Sequence, residues 1–332
     1  MAALVFTLAK PDLGDLRAGN TGVEGVWHWD SGQPGRQVLI SALVHGNELC
    51  GAWAIKALCA HGLRPRTGSL TLMLCNLAAF DRFDPQNHDR SRFVDEDMNR
   101  VWSEARLQTG VALCSDFGKT TGSTTDSRRA ALLRPFVQQA DWLLDLHSMH
   151  ERGAPLLLTG VQPRNLALAR ALGAPADVVV DAGHQDGVRM RDFGRFGSLD
   201  EADAQVSASR SLLIECGFHG DTSSRSVALD MCTRFLLASG ICQSADLDAQ
   251  WLAPAPAQQR AVQVTHAVVA RSMALAFAQP WQGLQRIAQA GTLLATDGHS
   301  QWTTPYDDCT LVMPSLRQLR PGVTVMRLAQ AV

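Results

Sequence analysis

Between residues 37 and 240 the chain alternates short apolar runs with longer segments of helical period. QVLISALV reads as a buried strand, and ELCGAWAIKALCAHG, closing near Gly62, as the helix that follows it. SLTLMLCNL predicts a second strand, SRRAALLRPFVQQA a helix, and DWLLDLHS a third strand. The short helix ALARALG, the strands ADVVVDAG and SRSLLIECG, and the helix SRSVALDMCTRFLLASG complete the stretch. Such alternation predicts an α/β fold with an open mixed sheet and helices on both faces. Past Leu252 the pattern changes. APAPAQQR reads as a linker, and the runs AGTLLATDGHSQW, DDCTLVMPS and PGVTVMRLAQ are split by Asp-Gly and Pro-Gly turn signals. The expected organisation is an α/β domain over residues 1–252 and a small β-rich domain over 253–332. VTHAVVARSMALAFAQ fits helix and strand equally well.

Composition narrows the classes. With 332 residues, 46% hydrophobic and 19% charged, the chain can bury a core without staples. A net charge of -2, with no charged block, excludes the footprint of a nucleic-acid binder. The eight cysteines form no CxxC pair, and several sit inside apolar runs, as small buried hydrophobes do. The N-terminal MAALVFTLAKPDLGD lacks a basic leader region, and no run reaches the roughly 20 apolar residues that span a bilayer. The expectation is a reduced, soluble, cytoplasmic protein without membrane partners. The sequence leaves the oligomeric state open, a homo-oligomer included.

Chemistry concentrates where strands are expected to end. His45-Gly46-Asn47-Glu48 follows the first strand, and ligands of open α/β sheets collect at strand carboxyl ends. A His and a Glu three apart on one helical turn face the same way and could share a cation. Gly46 would give the backbone freedom for the tight entry. Alone, such a pair is more often a surface feature. His147, closing WLLDLH, adds the third donor of the open His-Glu-His set that leaves room for water on a catalytic zinc. Asp145 could orient it from behind. Glu215 ends SLLIE, where an apolar run makes a carboxylate awkward to bury unless it has a task such as proton transfer. The segment Arg92-Phe93-Val94-Asp95-Glu96-Asp97-Met98-Asn99-Arg100 offers carboxylate-binding side chains, or merely a charged surface loop.

HGNE, RFVDEDMNR, DLH and ECG, in that order, resemble the succinylglutamate desuccinylase and aspartoacylase family, which shares the fold and zinc site of the metallocarboxypeptidases. The resemblance implies one zinc ion per chain on His45, Glu48 and His147. It implies Glu215 as general base, Arg92 as the group that polarises the scissile carbonyl, and Asn99 and Arg100 as holders of a substrate carboxylate. Arg191 and Arg195 are candidates for a further substrate arginine, Arg195 being preferred. The implied enzyme is a zinc-dependent amidohydrolase that deacylates a small N-acyl amino acid or related metabolite. Asn76-Leu77 stands where relatives often carry Asn-Pro. The single tyrosine, Tyr306, does not align with the tyrosine that aspartoacylase contributes from its C-terminal domain. A metallocarboxypeptidase acting on peptides would use the same residues. A non-enzymatic metal-binding relative would most cheaply have lost Glu215, which is present. His150 and His219 are read as supporting or surface residues.

Overall fold

A computed structural model describes residues 5–114 and 124–332. Eleven strands form one mixed sheet in the order β1-β3-β2-β4-β7-β5-β6-β8-β14-β13-β10. In chain order they are β1 (Val26–Asp30), β2 (Gln37–Ala42), β3 (Ser69–Leu74), β4 (Trp142–Met149), β5 (Leu156–Leu158), β6 (Asp177–Val180), β7 (Arg210–Phe218) and β8 (Arg260–Val269). The last elements are β9 (Ala276–Phe277), β10 (Arg286–Ile287), β11 (Leu293–Asp297), β12 (Ser300–Thr303), β13 (Cys309–Val312) and β14 (Thr324–Ala331). β9, β11 and β12 make a separate antiparallel sheet.

The centre of the main sheet is parallel, with β2 flanked by β3 and β4, and β4 paired to β7. Parallel strands covered on both faces need apolar side chains pointing both ways. Ile40 and Leu144 enter one core with helices α1 (Leu49–Ala60) and, later in the chain, Ser223–Ser239. Leu39 and Leu143 enter the opposite core, with Leu133 and Val137 of the helix Thr125–Gln139. The open mixed α/β sheet with helices on both faces is thus present. VTHAVVARSMALAFAQ resolves as strand: β8 supplies its first half and β9 lies in its second.

Two short strands escape the sequence pattern. β5 has only three residues and runs antiparallel to β7 while parallel to β6. β1 pairs antiparallel with β3 at the sheet edge. Of the strands after residue 253, β8, β14, β13 and β10 continue the main sheet, with β8 pairing parallel with β6 and antiparallel with β14. No helix among the described residues is long and apolar enough to cross a membrane, and Cys50, Cys59, Cys75, Cys216, Cys232, Cys242 and Cys309 are free.

Candidate metal centre and active site

The carboxyl ends of β2, β4 and β7 meet at one point. β2 ends at Ala42, and a turn carries His45 and Glu48 to the start of α1. These two do not share a helical turn, contrary to the simple spacing argument. Both precede the helix, and Glu48 is its N-cap residue with φ -99° and ψ 73°. Gly46 is also needed for space rather than for freedom. A Cβ there would lie 2.3 Å from the Ala79 carbonyl carbon and 2.5 Å from the Ser91 oxygen. Its N–H donates to the Arg92 carbonyl at 3.0 Å, which ties the turn to the Arg92 segment. Asn76 caps the short helix α2 (Leu77–Asp81) by accepting from Ala79 N at 3.1 Å.

His147 and Glu215 lie inside their strands rather than at the last residue. β4 continues to Met149 and β7 to Phe218, and the two residues are direct partners across the ladder. A register irregularity follows at once, between His147 and Met149. Gly217, at φ 98°, provides a backbone turn that side-chain-bearing residues rarely make.

His45, Glu48 and His147 are buried, with one donor atom from each within 4.8 Å of the others. His45 Nδ1 lies 2.7 Å from Glu48 Oε1, and His147 Nδ1 lies 2.8 Å from Glu48 Oε2. The outer nitrogens have other partners: His45 Nε2 is 2.9 Å from Asp97 Oδ1, and His147 Nε2 is 2.9 Å from Asp145 Oδ2. Ser41 Oγ in turn donates to Asp145 Oδ1 at 2.8 Å. With each Nε2–H donating outward, a neutral imidazole turns its Nδ1 lone pair toward the Glu48 carboxylate. Lone pairs would then face lone pairs, which is repulsive unless a positive charge lies between them. Burial would lower the His147 pKa, but Asp145 and Glu48 outweigh it and hold it well above the ordinary imidazole value. Burial would likewise raise Glu48, yet His45 and His147 hold it well below the carboxylate range. The cluster therefore calls for a cation, and two imidazoles and a carboxylate braced by outer carboxylates suit a divalent metal.

Arg92 closes one side of the cluster. Its NH1 donates to Glu48 Oε1 at 3.3 Å and lies 3.2 Å from His150 Nε2, while NH2 donates to Asp97 Oδ2 at 3.1 Å. Glu215 is 7% exposed, and its Oε2 is buried without a hydrogen-bond partner. Burial, aided by Glu48, pushes its carboxyl well above the usual range against the pull of His147 and Arg92.

Asn99 is buried, its side-chain oxygen accepting from Met190 N at 3.0 Å. Arg100 Nε donates to Asp186 Oδ1 at 3.1 Å, and its NH1 is 3.9 Å from Asp97 Oδ2. Both thus adjoin the Asp97 end of the cluster. Arg195 does not. Its NH2 donates to the carbonyls of Gln139 and Ala140 and to Asp141. Those groups precede β4, and even Asp141 is six residues from His147, or roughly 20 Å along a strand. Arg191 is also committed elsewhere, its NH2 serving Thr159 O, Ser211 O and Ser211 Oγ. Tyr306 spends its hydroxyl on Thr265 Oγ1 at 2.6 Å.

Two contributors, Asp97 and Arg327, escaped the sequence reading, and for His150 and His219 the structure decides between the supporting and the surface alternatives. Asp97 lies within RFVDEDMNR, but three acids in a row gave no way to choose among them. His150 accepts from Arg92 and meets the Gln318 side-chain amide at 3.2 Å, so it is part of the buried site rather than surface. His219 is buried too, 2.8 Å from Ser148 Oγ. Arg327, on β14, reaches His184 beside Arg100. A cavity of about 260 Å³ opens next to this group, lined by Asp181, His184, Gly187 and Val188 among others. None of His45, Glu48, His147, Arg92 or Glu215 lines it.

Fold and site together define an α/β protein with a buried His-Glu-His group at the carboxyl ends of parallel strands. Residues 34–200 match the model of the succinylglutamate desuccinylase/aspartoacylase catalytic domain, and the chain belongs to that family, a family of deacylases acting on small acylated amino acids. Glu215 lies beyond the matched stretch. No curated protein sequence matches the chain. Among solved structures, succinylglutamate desuccinylase from Vibrio parahaemolyticus is 16% identical, with 93% of this chain and 86% of that one covered and a TM-score of 0.62. A succinylglutamate desuccinylase/aspartoacylase from Rhodobacter sphaeroides is 18% identical, covers 90% and 87%, and has a TM-score of 0.58. The ectoine utilization protein EutE from Ruegeria pomeroyi, solved with product bound, is 17% identical, covers 90% and 86%, and has a TM-score of 0.56. At these identities the likeness is one of fold.

Proposed function

We propose that this protein is a zinc-dependent amidohydrolase that removes the acyl group from a small N-acyl amino acid or related metabolite carrying a carboxylate. The observation that carries the reading is the pair of imidazole Nδ1 atoms, each within 2.8 Å of a Glu48 oxygen while its Nε2 is braced by a carboxylate. His45, Glu48 and His147 would hold one zinc ion per chain. Zinc bound there supplies Lewis acidity, polarising the amide carbonyl and strengthening water as a nucleophile at neutral pH.

The chain's own groups do the rest. Glu215, with an unpartnered oxygen in register with His147, accepts a proton from the attacking water and passes it to the leaving nitrogen. Its raised pKa suits a group that must hold that proton between the two steps. Arg92 stabilises the carbonyl oxygen as it gains negative charge. Its cation persists because Asp97 and Glu48 outweigh the cost of burial. Asn99 and Arg100 hold the substrate carboxylate, Arg100 by the planar fork that matches it.

Metal content by plasma mass spectrometry on untagged wild type and His147→Ala, with both run against a panel of N-acyl amino acids, tests the reading. Near one zinc per wild-type chain and amide hydrolysis are expected, both lost with His147. Wild type that neither binds zinc nor is activated by it would overturn the proposal.

A further inference from the structure

Arg92 meets two charged acceptors and one neutral one. Glu48 Oε1 takes NH1 at 3.3 Å and Asp97 Oδ2 takes NH2 at 3.1 Å. His150 Nε2 lies 3.2 Å from the same NH1. A guanidinium can only donate, so His150 Nε2 must carry a lone pair rather than a proton. The Gln318 side-chain nitrogen stands 3.2 Å from that Nε2, a second donor on the same atom. Burial, then Arg92, outweighs Asp89 and lowers the His150 pKa, in keeping with a neutral ring. Its proton is therefore on Nδ1. That nitrogen faces His219 Nε2 at 3.3 Å, which leaves His219 to donate from Nδ1 to Ser148 Oγ at 2.8 Å. Asp89 Oδ1 is also 3.3 Å from His150 Nδ1, but it makes no aligned hydrogen bond. Ser148 N closes the ring by donating to Glu48 Oε2 at 3.1 Å.

Glu48 and Asp97 each face His45 as well, so both draw the guanidinium toward the donor cluster. His150 is the acceptor outside that cluster. Being neutral, it fixes the direction of NH1 without adding a negative charge that would weaken the cation. Both hydrogens of NH1 are then spent, and Asp97 takes one of NH2. The second hydrogen of NH2 has no partner among the described residues and is left for a carbonyl oxygen. His150 is itself held in place from the C-terminal part of the chain. Besides the Gln318 contact, the adjacent Glu151 accepts from Arg317 Nε at 2.9 Å and from Ser315 Oγ at 3.2 Å.

We propose that His150 is a positioning residue, whose Nε2 lone pair orients Arg92 toward the carbonyl oxygen of the substrate. This rests on the deacylase reading, which gives Arg92 that task. His219 acts one step further back, by accepting the Nδ1 proton and so fixing the tautomer that leaves Nε2 bare.

The test compares His150→Gln, His150→Asn and His150→Phe with wild type. Glutamine places its amide oxygen near the Nε2 position and can accept from Arg92. Asparagine reaches only the Nδ1 position, and phenylalanine keeps the ring without an acceptor. His150→Gln should stay within a few-fold of wild type. His150→Asn and His150→Phe should lose about ten- to a hundredfold in kcat, with KM, zinc content and melting temperature little changed. If one of the latter pair does not fold, the other carries the comparison. A glutamine variant no better than asparagine, full kcat without an acceptor, or a loss confined to KM would each overturn the assignment. A second readout needs no turnover: long-range proton–nitrogen spectra of isotopically labelled histidine, with the His150 signals identified by their loss in His150→Gln. A proton on Nδ1 and a bare Nε2 are expected, and a proton on Nε2 would sink the proposal. Wild type with that tautomer but no hydrolysis would instead remove the deacylase reading, and with it the task assigned to Arg92.

Discussion

Glu215 is the residue on which the proposed chemistry turns, because it is buried, unpaired at one oxygen, and outside the set that would hold the metal. Glu215→Gln preserves size and removes only the proton-accepting oxygen. The expected outcome is a fall in kcat of about two to four powers of ten with zinc content and melting temperature retained. Steady-state kinetics alongside metal analysis checks it; a variant with normal turnover would remove Glu215 from the mechanism. Side-chain identity and order made this residue legible, together with His45, Glu48, His147 and Arg92. What order along the chain does not encode is the partner of each side chain. Asp97 could be distinguished from Asp95 and Glu96 only by the 2.9 Å contact with His45, and Arg195 was drawn in by proximity in sequence to β7 although its guanidinium serves the other end of β4.

At the level of elements, the strands and helices of the central sheet followed from apolar runs and helical period, because buried parallel strands leave a strong pattern. β5 left none, being three residues long. The turn from β2 into α1 was located from the sequence but misread in shape: Glu48 caps the helix instead of riding on it. Its tightness makes Gly46→Ala informative. The added methyl would sit 2.3 to 2.5 Å from backbone atoms of Ala79, Phe80 and Ser91, which are held in α2 and the Arg92 segment and cannot rotate away. We expect a loss of about 1–3 kcal/mol in chemical denaturation and weaker zinc binding, since His45 and Glu48 flank the displaced residue. Stability and metal affinity equal to wild type would show that the turn is looser than its contacts imply.

Across the whole molecule, the sequence announced a compositional break near residue 252 but not that β8, β10, β13 and β14 rejoin the main sheet. Strand pairing between distant segments has no local signature, and the β6–β8 ladder is of that kind. Leu156, Leu158, Val179 and Leu213 share a core with Val312 and Ala329 from the far end of the chain. A chain ending at Leu252 would expose those side chains and the edge of β6, a template for association. It should therefore express as aggregated protein or as a species without a cooperative melting transition, as light scattering and calorimetry would reveal. A monomeric, cooperatively folded fragment would contradict the shared core.

β14 is four strands from β7 in the sheet. Laid flat at about 4.8 Å per strand, the two would be roughly 19 Å apart. Arg327 nevertheless reaches His184, whose ring also meets Arg100 beside the donor cluster, so long side chains and the coiling of a large twisted sheet close part of the gap. Strand curvature thus carries a C-terminal side chain back toward the residues that adjoin the donor cluster. The proposed deacylase would then meet its substrate against a strand held on both sides by ladder pairing, with β8 and β13.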